Sequence, residues 1–156
     1  MIDVNFELRA EKARKTLLEL VKRTDDMRPV WKDFKTWWQD DLMPKVWDSE
    51  GRPMQTKWPR LTSKYAKWKK KNYGGKRLLE LTGKLFRAVQ GQSGWYDKIE
   101  KKSMGIGVQG EKYFYAVQHR QKNPRHYFYT KQEDIPARAY AKLIELTDKY
   151  LEEADK

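Results

Sequence analysis

The chain contains no cysteine, which excludes disulfides, thiolate metal sites and cysteine nucleophiles and leaves the redox compartment open, a cytosolic site of synthesis being compatible. Histidine is almost as scarce. His119 and His126 do not stand at metal-ligand spacing with one another or with a carboxylate pair, and Arg120 gives His119 a poor setting for a cation. Each reads as a hydrogen-bonding surface or core residue, and no metal or cofactor is expected. No apolar run approaches the length of a bilayer span, and the opening MIDVNFELRAEKARK has no apolar segment of signal-peptide type. The expectation is a soluble chain with no membrane partner. Acidic residues are in deficit, 22 against 34 Lys and Arg, giving a formal net charge of +12. That balance favours an anionic partner, nucleic acid first and an acidic protein second, although a solvated lysine surface accounts for any basic run equally simply.

The recognisable layouts of catalytic chemistry are also missing. The run of residues 105–110, GIGVQG, imitates a dinucleotide-binding fingerprint by letter, but no amphipathic helix opens on its last glycine. The adjacent carboxylates Asp25 and Asp26, Asp40 and Asp41, and Glu133 and Asp134 diverge on a helix and read as caps or solvated charges. Ser49, Ser63, Ser93 and Ser103 all lie in turn-like contexts without a nucleophile elbow. No enzyme is expected, and a hydrolase would require a buried carboxylate pocket that the sequence does not display.

What the chain does have is aromatic residues. They make up 13% of it, with seven Trp, beside 38% hydrophobic and 36% charged residues, so the core must lean on rings. A length of 156 residues suits one domain with a real core. Residues 6–22 form an amphipathic helix on Phe6, Ala10, Ala13, Leu17 and Leu20, a seam of two heptads that suits packing in its own domain or docking on a neighbour. Pro29 opens a second helix carrying Val30, Trp31, Phe34, Trp37, Trp38 and Leu42. Pro44 ends or kinks it, with Trp47 just beyond. Residues 48–53 are a turn-rich linker.

The central stretch, residues 58–85, combines a helix, a hinge and the start of another helix. Leu61, Tyr65 and Trp68 recur at helical spacing behind the cap candidates Thr62 and Ser63, and Gly74-Gly75 stops the helix. Lys64, Lys67, Lys69, Lys70 and Lys71 occupy most of its remaining surface, and Lys69, Lys70 and Lys71 are the candidate nucleic-acid contacts. Tyr65 and Trp68 share a face with Leu61, and their simpler assignment is to the core. A short helix follows on residues 85–89. Alternation in residues 95–99 and 104–108 then indicates a β-hairpin, its Gly105 and Gly107 permitting a bulge or a close backbone approach. Residues 113–119 fit a strand or a short helical segment, residues 120–125 a loop, and residues 126–130 another strand. Tyr140, Leu143, Ile144, Thr147 and Leu151 mark a final helix. The fold class is therefore α+β, with N-terminal helices, a small antiparallel β-sheet in the second half and a C-terminal helix packed on it. Residues 1–156 form one domain, of which 1–47 are a helical N-terminal extension.

The order of short motifs adds a family reading. Trp58-x-x-Leu61 with Tyr65 and Lys69, Leu78-Leu79-x-x-Thr82-Gly83-x-Leu85, Ile106-Gly107-Val108, Tyr115-Ala116-x-x-His119 and Ile135-Pro136-Ala137-Arg138 follow one another. Together, from Trp58 onward, they resemble the tailed-phage virion morphogenesis family, the tail completion proteins of Mu-like phages and their relatives. In that family Gln and a nearby Gly follow the His, whereas here Arg120-Gln121-Lys122 intervenes, which implies an altered loop. Pro and Phe follow the Arg there; Ala139-Tyr140 keeps the aromatic and loses a rigid turn.

The resemblance implies a non-enzymatic part of the head–tail connection, acting at tail completion, neck or tail terminator by binding other tail or neck proteins. It also implies a homo-oligomeric ring on assembly. The place of action is then the bacterial host cytoplasm, with the virion as a further destination. Thr82 is expected to cap the next helix and Gly83 to relieve its tight start, while Arg138 either holds the last helix against the sheet or contacts another subunit. Surplus aromatics, Trp37 and Trp38 first, are candidate interface anchors. The rival reading is a basic nucleic-acid-binding accessory domain with non-specific affinity.

Overall fold

Pro29 lies in the first turn of a helix, where a missing N–H costs nothing, and the helical path that continues from it through Pro44 forms the spine of the fold. The computed structural model describes residues 4–54, 57–109 and 137–153, with side chains from residue 14 onward. Helix α1, Val4–Asp25, ends at a turn in which the Asp26 carboxylate accepts from the Arg28 backbone N–H at 3.2 Å. The α1 seam residues Phe6, Ala10 and Ala13 lie outside the described side chains.

Helix α2, Arg28–Trp37, runs into a π-helical turn, Trp38–Leu42, and then into α3, Met43–Asp48. Pro44 thus neither ends the helical path nor leaves Trp47 beyond it. The Met43 N–H bonds to the Trp38 carbonyl five residues back, and this wider turn precedes the residue that lacks a donor. The buried residues explain the π turn's second effect. Val30, Phe34, Trp38, Leu42 and Val46 are spaced by four, and each such step overshoots an α-helical turn by about 40°. One residue absorbed in the π turn takes back about 100°, which keeps the stripe on one face.

That stripe supplies much of the core. Trp47 meets Trp58 edge to face at 5.1 Å and Phe86 at 5.3 Å, and Met54, Leu85, Ala88 and Val89 close around them. Residues 34–47 therefore supply much of the core. The segment after α3 is a tied turn rather than a loose linker: the Gly51 N–H donates to the Val46 carbonyl at 2.7 Å, and the Trp58 N–H donates to that of Glu50 at 2.6 Å.

Helix α4, Ser63–Tyr73, begins where the Thr62 hydroxyl accepts from the Tyr65 N–H at 3.4 Å and stops at Gly74, φ 68°. Helix α5, Lys84–Val89, follows. Strands β1, Trp95–Ile99, and β2, Met104–Val108, pair antiparallel with Trp95 opposite Val108 and Ile99 opposite Met104. The register is unbroken, so the glycines serve no bulge, and a Cβ at Gly105 or Gly107 would meet nothing within 4 Å. Among the described residues nothing packs close on their face, while Trp95, Met104, Ile106 and Val108 pack on the core.

Helix α6, Ala137–Glu152, lies antiparallel to the α2–α3 path. The Tyr150 hydroxyl donates to the Asp26 carbonyl at 3.1 Å at one end, and Arg138 pairs with Asp41 at 3.2 Å at the other. The expected α+β arrangement of N-terminal helices, a small antiparallel sheet in the second half and a C-terminal helix is present.

Candidate functional site

The motif residues separate into those that build the frame and those that stand outside it. Trp58 and Leu85 are buried in the core, and Leu61 is half-buried. Leu79 packs against the core with φ 62°, a left-handed conformation uncommon for a branched side chain, and Gly83 follows with φ 77°. These two positions turn the chain from the end of α4 into α5. Gly83 itself occupies the cap position of α5, and the Thr82 hydroxyl reaches the Lys84 N–H at 3.4 Å. The expected relief of a tight start by glycine is met, whereas Thr82 assists from one residue before the cap. Ala137 is exposed at the first position of α6.

Arg138 finds Asp41 on the π turn, so the pair ties α6 to the α2–α3 path and not to the sheet. Lys45, hydrogen-bonded to the Asp41 carboxylate, is the first cause of its lowered pKa, with Arg138 and the Trp37 indole contributing and burial opposing. Tyr115, Ala116, His119, His126 and Pro136 lie outside the described residues, as do the 113–119 and 126–130 segments.

The proposed interface tryptophans divide. Trp38 is a core residue with 4% of its surface exposed and its ring 6.0 Å from that of Phe34, so it anchors no interface. The i+4 stripe that begins at Val30 places it inward. Trp37, one position round the helix, is half-buried and lies 5.5 Å from Phe34.

The central helix reverses its expected faces. Lys69, expected to meet phosphate, is 5% exposed, and its Nζ donates to the Arg77 carbonyl at 2.6 Å. Tyr65 and Trp68, expected in the core, are 41% and 44% exposed. The inward side is instead made by half-buried Ala66 and the aliphatic stem of Lys69, three residues apart. Small Ala66 among large neighbours is the one sequence signal for that close approach. Arg77 fastens the following loop by pairing with Asp48 of α3 and with Glu80 at 2.8 Å, its guanidinium 5.0 Å from the Phe86 ring.

With Lys69 turned in, the outer face of α4 is aromatic as well as basic. Tyr65 and Trp68 stack with centroids 5.3 Å apart and planes 26° from parallel, and Tyr73 joins Trp68 at 5.4 Å. Lys64, Lys67, Lys70 and Lys71 are exposed around them, and none is ion-paired among the described residues.

Of the candidate acid–base groups, Asp25, Asp26 and Asp41 are engaged by cations, and Glu133 and Asp134 lie outside the described residues. Asp25 pairs with Lys102 at 3.0 Å, which lowers its pKa, and Arg28 holds that of Asp26 down at about 2. The Ser49 hydroxyl donates to the Lys45 carbonyl, and that of Ser103 to Glu100. Gly105 and Gly107 belong to β2, so the dinucleotide-like run is hairpin strand as far as Val108. Among the described residues no group of three His, Asp or Glu is placed to hold a metal ion, and no helix is long and apolar enough to cross a membrane.

Compared with protein-family models, curated proteins and solved structures, the chain shows no match.

Proposed function

We propose that this chain is an assembly protein of the phage or prophage head–tail connection, with a tail completion, neck or tail terminator role exercised by binding other virion proteins in an oligomeric ring. The ordered motif set is the basis of the reading. One structural observation supports it most: the Leu79-x-x-Thr82-Gly83-x-Leu85 motif forms a single device, with two left-handed backbone positions carrying the chain into α5 and Leu85 locking that helix into the core. A motif with that job is a mark of the fold, which suits a family defined by shape and assembly.

Binding needs surfaces, and exposed apolar side chains offer them. On α1, Leu17, Leu18 and Val21 are 62%, 53% and 65% exposed at spacings that share one face; on α6, Ile144 is 60% exposed. A ring requires two different patches on each subunit, joined head to tail, and the two helices can supply one each. The chain would act in the bacterial host cytoplasm during assembly and could remain in the virion.

The test is biochemical complementation. Purified protein added to a lysate of the encoding phage lacking this gene should join preformed heads and tails and restore infectious particles. A Leu17→Glu, Val21→Glu double variant, folded by circular dichroism, should not. Failure of the wild-type protein to restore any infectivity in a lysate rescued by gene complementation contradicts the role.

A further inference from the structure

We infer that the outer face of α4 is a stacking site for single-stranded nucleic acid, with Trp68 at its centre, Tyr65 and Tyr73 beside it, and Lys64, Lys67 and Lys71 on the phosphates. This inference stands apart from the assembly reading. It begins with three large rings of one short helix that lie at the surface, 41%, 44% and 37% exposed for Tyr65, Trp68 and Tyr73, and in contact with each other. Rings held in a row by mutual contact offer their outer faces with little conformational freedom left to lose. Every base has a π face, so such a platform takes bases without regard to sequence.

The charge beside the rings selects the partner. Helical geometry places Lys64 one turn before Trp68 and Lys71 three residues after it, with Lys67 one turn from each of those lysines, so the three ammonium groups line one side of the central ring. With no carboxylate among the described residues paired to them, and with a net charge of +12 on the chain, they are free to neutralise phosphates. The Asn72 side chain donates back to the Trp68 carbonyl at 2.8 Å, and no acidic residue occurs between Ser63 and Tyr73 to repel a polyanion. Flat rings and unpaired cations together fit unstacked bases on a phosphate backbone. A duplex hides its base faces and would engage the lysines alone, and an acidic polypeptide has no flat bases to stack.

The experiment is fluorescence anisotropy of a labelled 15-nucleotide oligothymidylate with the full chain, across a salt series. Wild-type protein should bind it more tightly than a duplex of equal length and in preference to polyglutamate. Trp68→Ala should weaken binding roughly 5- to 150-fold, the range for losing one base–aromatic stack, with little change in the salt slope. Trp68→Phe should retain most of the affinity. The Lys64→Gln, Lys67→Gln, Lys71→Gln triple variant should lower the logarithmic salt slope by about 2, from roughly 0.7 per phosphate contact on a single strand. Melting curves establish that each variant is folded, and Trp68→Leu, which keeps bulk without an aromatic face and should lose affinity likewise, serves where Trp68→Ala is not. Equal affinity for single strand and duplex with no dependence on Trp68 overturns the stacking site in favour of phosphate attraction alone. Displacement of the oligonucleotide by equimolar polyglutamate overturns it in favour of an acidic protein partner.

Discussion

Lys69 and Lys70 are neighbours in a run of three lysines, yet the structure gives them opposite work, and replacing each by alanine separates the two. Lys69 is buried and its ammonium donates to the Arg77 carbonyl at 2.6 Å. A hydrogen bond from a charged donor contributes about 1.5–3 kcal/mol, and truncation also removes the stem that covers the inner side of α4. The carbonyl left behind belongs to Arg77, whose side chain ties the same loop to Asp48 and Glu80, so the loss spreads to the anchorage of the loop on α3. We expect Lys69→Ala to destabilise the fold by about 2–3 kcal/mol, the upper half of that range. For a domain of this size each kcal/mol shifts the melting midpoint by about 2–4 °C, so the drop should be roughly 4–12 °C. Lys70→Ala, at an exposed position, should stay within about 0.5 kcal/mol of wild type. Thermal unfolding followed by circular dichroism, with urea titration for the free energies, reads both. Equal midpoints for the two variants would refute the inward placement of Lys69.

Other perturbations probe other parts of the fold. Trp47→Ala, which empties the contact between α3, Trp58 and Phe86, should cost about 3–5 kcal/mol in urea unfolding, and Trp37→Ala clearly less because that ring is half-buried. Gly83→Ala should cost about 1–2 kcal/mol in the same titration, since its φ of 77° disfavours any Cβ, and the new methyl would also crowd Arg87 at 3.3 Å. Asp26 and Asp41 have lowered pKa values in the folded chain, so the native state binds fewer protons than the unfolded state as acid is added. The stability they contribute is fully present above the ordinary value of 3.8 and declines as pH falls below it, for Asp26 down to about 2. Asp26→Asn should accordingly flatten the fall of the melting midpoint between about pH 5 and pH 2, and an unchanged acid limb would contradict the Asp26–Arg28 clamp.

The hairpin was legible because alternation in residues 95–99 and 104–108 has one reading once glycines bound it, and the strands occupy those residues. The ends of α4 were legible for the same kind of reason: Thr62 and Gly74-Gly75 are local signals, and local hydrogen bonding decides them. Its faces were not. Apolar spacing assigned Leu61, Tyr65 and Trp68 to the core, but Ala66 and Lys69 are the residues of α4 that turn inward, with the Lys69 ammonium held by the Arg77 carbonyl of the loop behind it. The π turn was equally hidden. A stripe at strict intervals of four with Pro44 near its end hints at one, yet kinking and termination explain the same letters. Leu42 and Val46 show the consequence, for the turn keeps them on the buried face that Val30, Phe34 and Trp38 begin.

The most direct test of the assembly role is electron microscopy of lysates from the encoding phage or prophage with this gene deleted, beside a complemented control. Filled heads and separate tails in the deletion, joined again on complementation, are the predicted result. Intact infectious particles at the level of the control would contradict it.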